Sequence, residues 1–331
     1  MKIRRAVKCV QIEDELEKAL KIAKKMNAQG LEVQELGRLM NNQSLEKRVN
    51  LIERYCKEYR ITSIAYHFPL RSEWNNLEES KKSDFCSEDK IDILNFTKET
   101  IEEAALVGNK LGIETEIPVD VHLFGFSDKI NDEERQKNLE RGEKKLIKLK
   151  EIADDFSHDF GLVKAGTPLL RIVRENEPPE HGLVDGTVDF HPLDIARTAK
   201  YGIETNLDFA HIWQCLLYWK NGKGEFPGVD LSKKLYQACS SWESIIKILK
   251  PSLGLVHMND ALNYRKSTEG VEIGNGTLPH KEVIPLICRS LEKDIIGTYE
   301  IKYGHIDPES MLRSDQKYRE WFGKKFNEYF E

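Results

Sequence analysis

Leu253-Gly254-Leu255-Val256-His257-Met258-Asn259-Asp260 decides how the rest of the chain is read. A short apolar run, too short for a helix, ends in a histidine and two polar residues. It is preceded by a helical pattern over Leu231–Leu249 and followed by another from His280 to Leu291. A strand between two helices, with an ionisable group at its C-terminal end, is the unit of a parallel α/β fold. Downstream, Ile295–Ile301 repeats it with Glu300 near the end, and a last helix begins near Pro308. Upstream, Ile203–Leu207 runs into Asp208, and Leu169–Val173 runs into Glu175.

The alternation continues to the start of the chain. Arg5–Val10, Leu31–Val33, Ile61–Tyr66 and Ile117–Leu123 read as strands. Between them, Leu16, Ala19, Leu20, Ala23 and Met26 fall on one helical face, as do Leu45, Val49, Ile52 and Cys56. Ile91, Leu94, Ile101, Ala105 and Leu111 form a third such face, and a charged helix spans about Asn131–Asp155. A short helix follows Pro192. Eight strand–helix units within 331 residues, with no low-complexity linker, predict a single (β/α)8 barrel domain over residues 1–331. An open doubly wound sheet is the alternative. Polar insertions are expected near 68–90 and 177–191.

Composition narrows the function. Hydrophobic residues make up 40% and charged residues 32%, as in an ordinary globular protein, and no apolar run has the length of a membrane span. The opening residues lack the apolar stretch of a signal peptide, and the six cysteines are scattered without a C-x-x-C pair. Both point to a reducing, cytoplasmic setting with free thiols. A net charge of −6 gives no general attraction to phosphate backbones.

The chemistry gathers at strand ends. His67, His122, Glu175, Asp208, His257 and Glu300 each lie at or near the end of a strand, and His211 is three residues past Asp208. In a (β/α)8 barrel these ends face one another, and such a collection is costly to bury without a shared cation. Carboxylates with imidazoles suit Zn, Mn, Co or Mg. Individually, each residue has a plainer role. Glu300 can pair with Lys302, and Asp208 can cap a helix. Arg265 is a candidate for holding a substrate hydroxyl, carboxylate or phosphate, or is simply a surface arginine.

The ordered run His67-Phe68-Pro69, His122, Glu175-Asn176, Asp208-x-x-His211, His257-Met258-Asn259-Asp260, Gly274-Asn275-Gly276 and Glu300 resembles the xylose-isomerase-like barrel superfamily. That superfamily holds sugar and sugar-phosphate isomerases and epimerases, and endonuclease IV. The resemblance implies a metal held by Glu175, Asp208, His257 and Glu300, with Glu175 and Glu300 as the proton-transfer pair. It implies substrate contact for His211, and a further metal at His67 and His122 if the chain is endonuclease-like. The expected partner is then a small sugar or sugar phosphate, with DNA at abasic sites the alternative. One departure counts against the endonuclease. Its Asp-x-His pair is replaced by Thr268-Glu269-Gly270, which removes two ligands of a third metal. Acidic residues after strand one (Glu13-Asp14-Glu15) and in the insertion after strand three also disfavour a DNA groove.

Overall fold

The computed structural model describes residues 1–10, 12–34, 44–68, 92–123, 132–179, 191–222, 239–304 and 306–331. Eight parallel strands close into a barrel. They are β1 (Ile3–Cys9), β2 (Gly30–Gln34), β3 (Ser63–His67), β4 (Ile117–Val121), β5 (Leu170–Glu175), β6 (Glu204–Asp208), β7 (Leu253–Met258) and β8 (Ile295–Tyr299). Each pairs with its sequence neighbours, and β1 closes the ring against β8 from Ile3↔Ile295 to Val7↔Tyr299. The open-sheet alternative is thereby excluded.

Helices cover the barrel: α1 (Ile12–Met26), α2 (Leu45–Tyr59), α3 (Asp92–Leu111), α4 (Asp132–Asp159), α5 (Pro192–Ala196), α6 (Phe209–Leu217), α7 (Trp242–Leu249), α8 (His280–Ser290) and α9 (Glu309–Phe322). The apolar faces read from the sequence are the buried ones; Leu16, Ala19, Leu20, Ala23 and Met26 of α1 are each at most 2% exposed. Ser44 caps α2 by accepting from the Lys47 amide, and Arg60 ends it in the left-handed conformation at φ 59°.

Some boundaries move. Glu175 and Asp208 are the last residues of their strands rather than the residues after them, and the acidic residues 13–15 lie in the first turn of α1. Glu15 there accepts a hydrogen bond from the Val10 amide. The residues after Asp208 form helix α6, and a small antiparallel hairpin (Val163–Lys164 with Thr167–Pro168) precedes β5. The helix expected from Leu231 is seen from Trp242 onward, since 223–238 lie outside the described residues. So do most of the two expected insertions, 69–91 and 180–190, and Cys86. The other cysteines are buried free thiols. Among the described residues no helix is long and apolar enough to cross a membrane.

Strand alternation sets the barrel interior. Ala6, Ala65, Val173 and Leu255, from odd-numbered strands, pack with Ile296 into a small apolar plug. Two residues further along each odd strand come Lys8, His67, Glu175 and His257. The even strands contribute Glu32, Asp120, Asn206 and Thr298 between those two levels, and all four are fully buried. Gln34, His122, Asp208 and Glu300 follow two residues later. An apolar floor therefore carries three successive polar layers, and the site is the top of the barrel core.

Candidate metal centre

Glu175, Asp208, His257 and Glu300 lie at or one residue from the ends of four successive strands, and one ligand atom from each lies within 4.8 Å of all the others. The register explains the convergence, because Asp208 pairs directly with His257 across β6 and β7. His257 Nδ1 stands 3.2 Å from Glu175 Oε2 and 3.9 Å from Asp208 Oδ2, with Glu300 beside it. Its other nitrogen, Nε2, donates to Glu32 Oε2 at 3.0 Å. That bond places one ring proton on Nε2, so Nδ1 is the nitrogen left to offer a lone pair once a cation displaces its proton. A carboxylate behind a histidine is how metal-binding proteins fix the ligating tautomer.

Glu32 is itself held from three directions. Besides His257 it accepts from Thr298 Oγ1 at 2.9 Å, and Lys8 Nζ lies 3.3 Å from its other oxygen. Lys8 also donates to Glu300 Oε1. Glu300 is thus paired with a lysine, but with Lys8 of β1 and not with Lys302.

Asp208 is anchored by two asparagines. Asn176 Oδ1 accepts from its amide at 2.8 Å, and Asn259 Nδ2 donates to Oδ2 at 2.6 Å. Its other oxygen caps α6 through the His211 amide at 2.8 Å. The side chain that caps α6 is therefore also one of the four candidate ligands. Asp260 does parallel work for the Gly274-Asn275-Gly276 turn, accepting from the amides of Gly274, Gly276 and Leu278 at 3.0–3.2 Å.

A second group shares Glu175. Ligand atoms of His67, Asp120, His122 and Glu175 also lie within 4.8 Å of one another. His67 Nδ1 donates to the Phe68 carbonyl at 2.6 Å, which turns Nε2 inward, 3.2 Å from His122 Nε2. His122 Nε2 is 3.2 Å from Glu175 Oε2, and its Nδ1 contacts the buried Glu177. Asn206 Nδ2 lies between the groups, 2.7 Å from Asp120 Oδ2 and 3.0 Å from Glu175 Oε2.

The charges settle by proton placement. Burial works against the charged forms of His257 and His122, yet the carboxylates around them raise both well above the usual imidazole range. Burial, reinforced by Glu175, raises Asp120 well above the usual carboxyl range. Burial raises Asp208 to about 7 despite His211. For Glu32, His257 and Lys8 outweigh burial and hold it at about 2. The protons kept on these imidazoles are those a bound cation would displace.

His211 lies beside this group. Its Nδ1 donates to the Asn176 carbonyl at 2.7 Å and lies 3.5 Å from Glu175 Oε1. The Arg265 side chain is exposed and lies over the Tyr264 ring at 5.4 Å. Lys8, Glu32, Asp120, Asn206 and Glu177 escaped the sequence reading. All but Glu177 lie at inward positions of the strands, where a polar residue in an otherwise buried strand is the available signal.

No family model matches the sequence, and no curated protein matches it. Solved structures do match over nearly the whole chain. An L-ribulose 3-epimerase superposes with TM-score 0.61 at 11% identity, over 97% of this chain and 94% of its own. A 3-keto-D-glucoside 4-epimerase from E. coli gives 0.58 at 12%, over 96% and 100%. A D-allulose 3-epimerase from Methylomonas sp., in complex with D-allulose, gives 0.54 at 12%, over 95% and 93%. The chain has the fold of the xylose isomerase-like TIM barrels.

Proposed function

We propose that the protein is a divalent-metal-dependent isomerase or epimerase acting on a sugar or sugar phosphate. The observation that carries this is the convergence of Glu175, Asp208, His257 and Glu300 at the mouth of a barrel whose structural neighbours are sugar epimerases. Three carboxylates and one imidazole, with the imidazole tautomer fixed from behind by Glu32, fit Mn, Co, Zn or Mg. When bound, such an ion polarises adjacent carbonyl and hydroxyl oxygens and makes the proton on the carbon between them more acidic.

Glu175 and Glu300 come from strands three apart in the ring, so a sugar lying between them meets a carboxylate on each side. One glutamate takes the proton from the carbon next to the carbonyl, leaving an enediolate. Return of a proton to the other face of that carbon gives the epimer, and return to the neighbouring carbon gives the isomer. Lys8 and Asn206 keep the two glutamates apart and oriented. His211, fixed by the Asn176 carbonyl, holds a substrate oxygen.

The test is solvent-deuterium incorporation into ketoses and their phosphates, read by NMR on protein loaded with each ion. Label at the carbon beside the carbonyl, abolished in Glu175→Gln, is the expected result. No label across the panel with any ion sinks the reading. The second reading, metal-dependent cleavage of DNA at abasic sites, is favoured by the His67–His122 group, which gives Glu175 a place between two ions. Two ions per chain by elemental analysis, with incision of duplex DNA carrying an abasic analogue, would select it.

A further inference from the structure

We propose that Glu269 and His211 form a subsite for one hydroxyl group of the substrate, and that this subsite sets how the sugar lies over Glu175 and Glu300. The identity of the ligand as a sugar rests on the reading above; the place where it is gripped rests on geometry. Glu269 follows the short 3-10 turn Lys266–Thr268 in the loop after β7. Both limbs of that loop are tied down. Asp260 pairs with Val271 in an antiparallel bridge, and the Gly270 carbonyl accepts from the Lys302 amide at 2.6 Å. Gly270 has φ 67°, and a Cβ there would press on Lys302 at 3.1 Å, so glycine lets the chain turn Glu269 inward.

Glu269 Oε2 is out of contact with solvent and has no hydrogen-bond partner, although it stands 3.5 Å from His211 Nε2. That separation is too long for a good direct bond. An unmet carboxylate oxygen inside a protein calls for a donor. The His211 ring cannot turn to supply a closer one, because its Nδ1 is committed to the Asn176 carbonyl. A hydroxyl oxygen about 2.8 Å from both atoms, which needs the two about 1 Å further apart, completes the geometry, because a hydroxyl donates to one partner while accepting from the other. The same position is hostile to a phosphate or carboxylate, which would face Glu269 with the buried Glu177 close by. His211 also touches the reaction side, with Nδ1 3.5 Å from Glu175 Oε1 and 3.6 Å from Asp208 Oδ1. The hydroxyl is therefore held one imidazole away from the proton-transfer carboxylate. Where sequence comparison sees a lost metal-ligand pair, this loop supplies a substrate contact.

The experiment uses the metal-loaded full chain, with D-allulose and its 1-deoxy, 4-deoxy and 6-deoxy analogues as probes. Dissociation constants come from calorimetry and metal content from elemental analysis. Glu269→Ala should weaken D-allulose by about tenfold, the loss of one buried hydrogen bond, with metal content unchanged. For the analogue lacking the gripped hydroxyl, the wild type should show that same loss and Glu269→Ala no further one. Glu269→Gln, which keeps an acceptor oxygen, should fall between. Equal weakening of all four sugars, no weakening of any, or loss of the metal would each overturn the proposal. Failure of the isomerase reading looks different: sugar binding and the non-additive pattern persist, but no solvent deuterium enters the sugar.

Discussion

Replacing Glu32 by Gln tests the reasoning about the metal centre most sharply, because Glu32 is not itself one of the four ligands. Three donors converge on its two oxygens: His257 Nε2–H at 3.0 Å, Thr298 Oγ1–H at 2.9 Å and Lys8 Nζ at 3.3 Å. A carboxamide keeps one acceptor oxygen and adds two hydrogens, so it cannot serve both sides. If its oxygen stays with His257, the amide NH2 confronts the buried Lys8 ammonium. If its oxygen turns to Lys8, the NH2 faces His257 Nε2, which must then accept. In that tautomer the proton moves to Nδ1, the nitrogen that faces Glu175 and Asp208. Either outcome weakens the ligand set without changing its members. Loss of such a supporting contact lowers metal affinity by about 10–100-fold, which is about 1.4–2.8 kcal/mol. Competition with a fluorescent chelator for Zn2+ and Mn2+ measures the affinity, and far-UV circular dichroism checks the fold. Glu177→Gln is the comparison, because Glu177 supports His122 in the other group and should leave the four-residue site at wild-type affinity. Wild-type affinity in Glu32→Gln, or an equal loss in Glu177→Gln, refutes the assignment of His257 Nδ1 as the ligating atom.

Three further outcomes follow from the fold. Arg48 and Glu103 form a fully buried bidentate pair between α2 and α3, with Nε–Oε2 2.8 Å and Nη2–Oε1 3.2 Å. Arg48→Met alone should cost about 3–5 kcal/mol in urea unfolding, and adding Glu103→Leu should recover much of it; an unchanged midpoint in the single variant refutes this. Gly276→Ala would place a Cβ 2.2 Å from Asp260 Oδ1, so it should dislodge the turn that Asp260 organises and lower the melting temperature. His280 is buried beside Tyr318 and Asp260, and burial lowers its proton affinity despite Asp260. The unfolded chain then binds the extra proton, so this stabilisation is complete above the unfolded value of about 6.5 and shrinks as pH falls below it. Wild-type stability relative to His280→Gln should drop below that point with a slope of at most about 1.4 kcal/mol per pH unit; a rise on acidification would contradict it.

How far the sequence reveals such a site depends on where each residue sits along its strand. His67, Glu175, Asp208, His257 and Glu300 stand where an apolar run stops, so each strand end marks its own candidate, and the closed ring brings them together. Glu32, Asp120 and Asn206 lie inside the strands, one layer below. From sequence alone an interior acid in a short strand looks like an outward-facing residue, because alternation fixes that every second side chain points inward but not which set does. Only closure decides it: β1 pairs Lys8 with Glu32, and β7 pairs His257 with Asp208 and Thr298. The loops follow a different logic. Glu269 lies 12 residues past His257 and 31 before Glu300, and its position depends on the Gly270 turn and the Lys302 contact, neither of which a periodicity registers. The candidate ligands are therefore legible because barrel strands end at the face where they gather, whereas the groups that orient them and the proposed substrate contact depend on pairing across the ring and on the turn at Gly270.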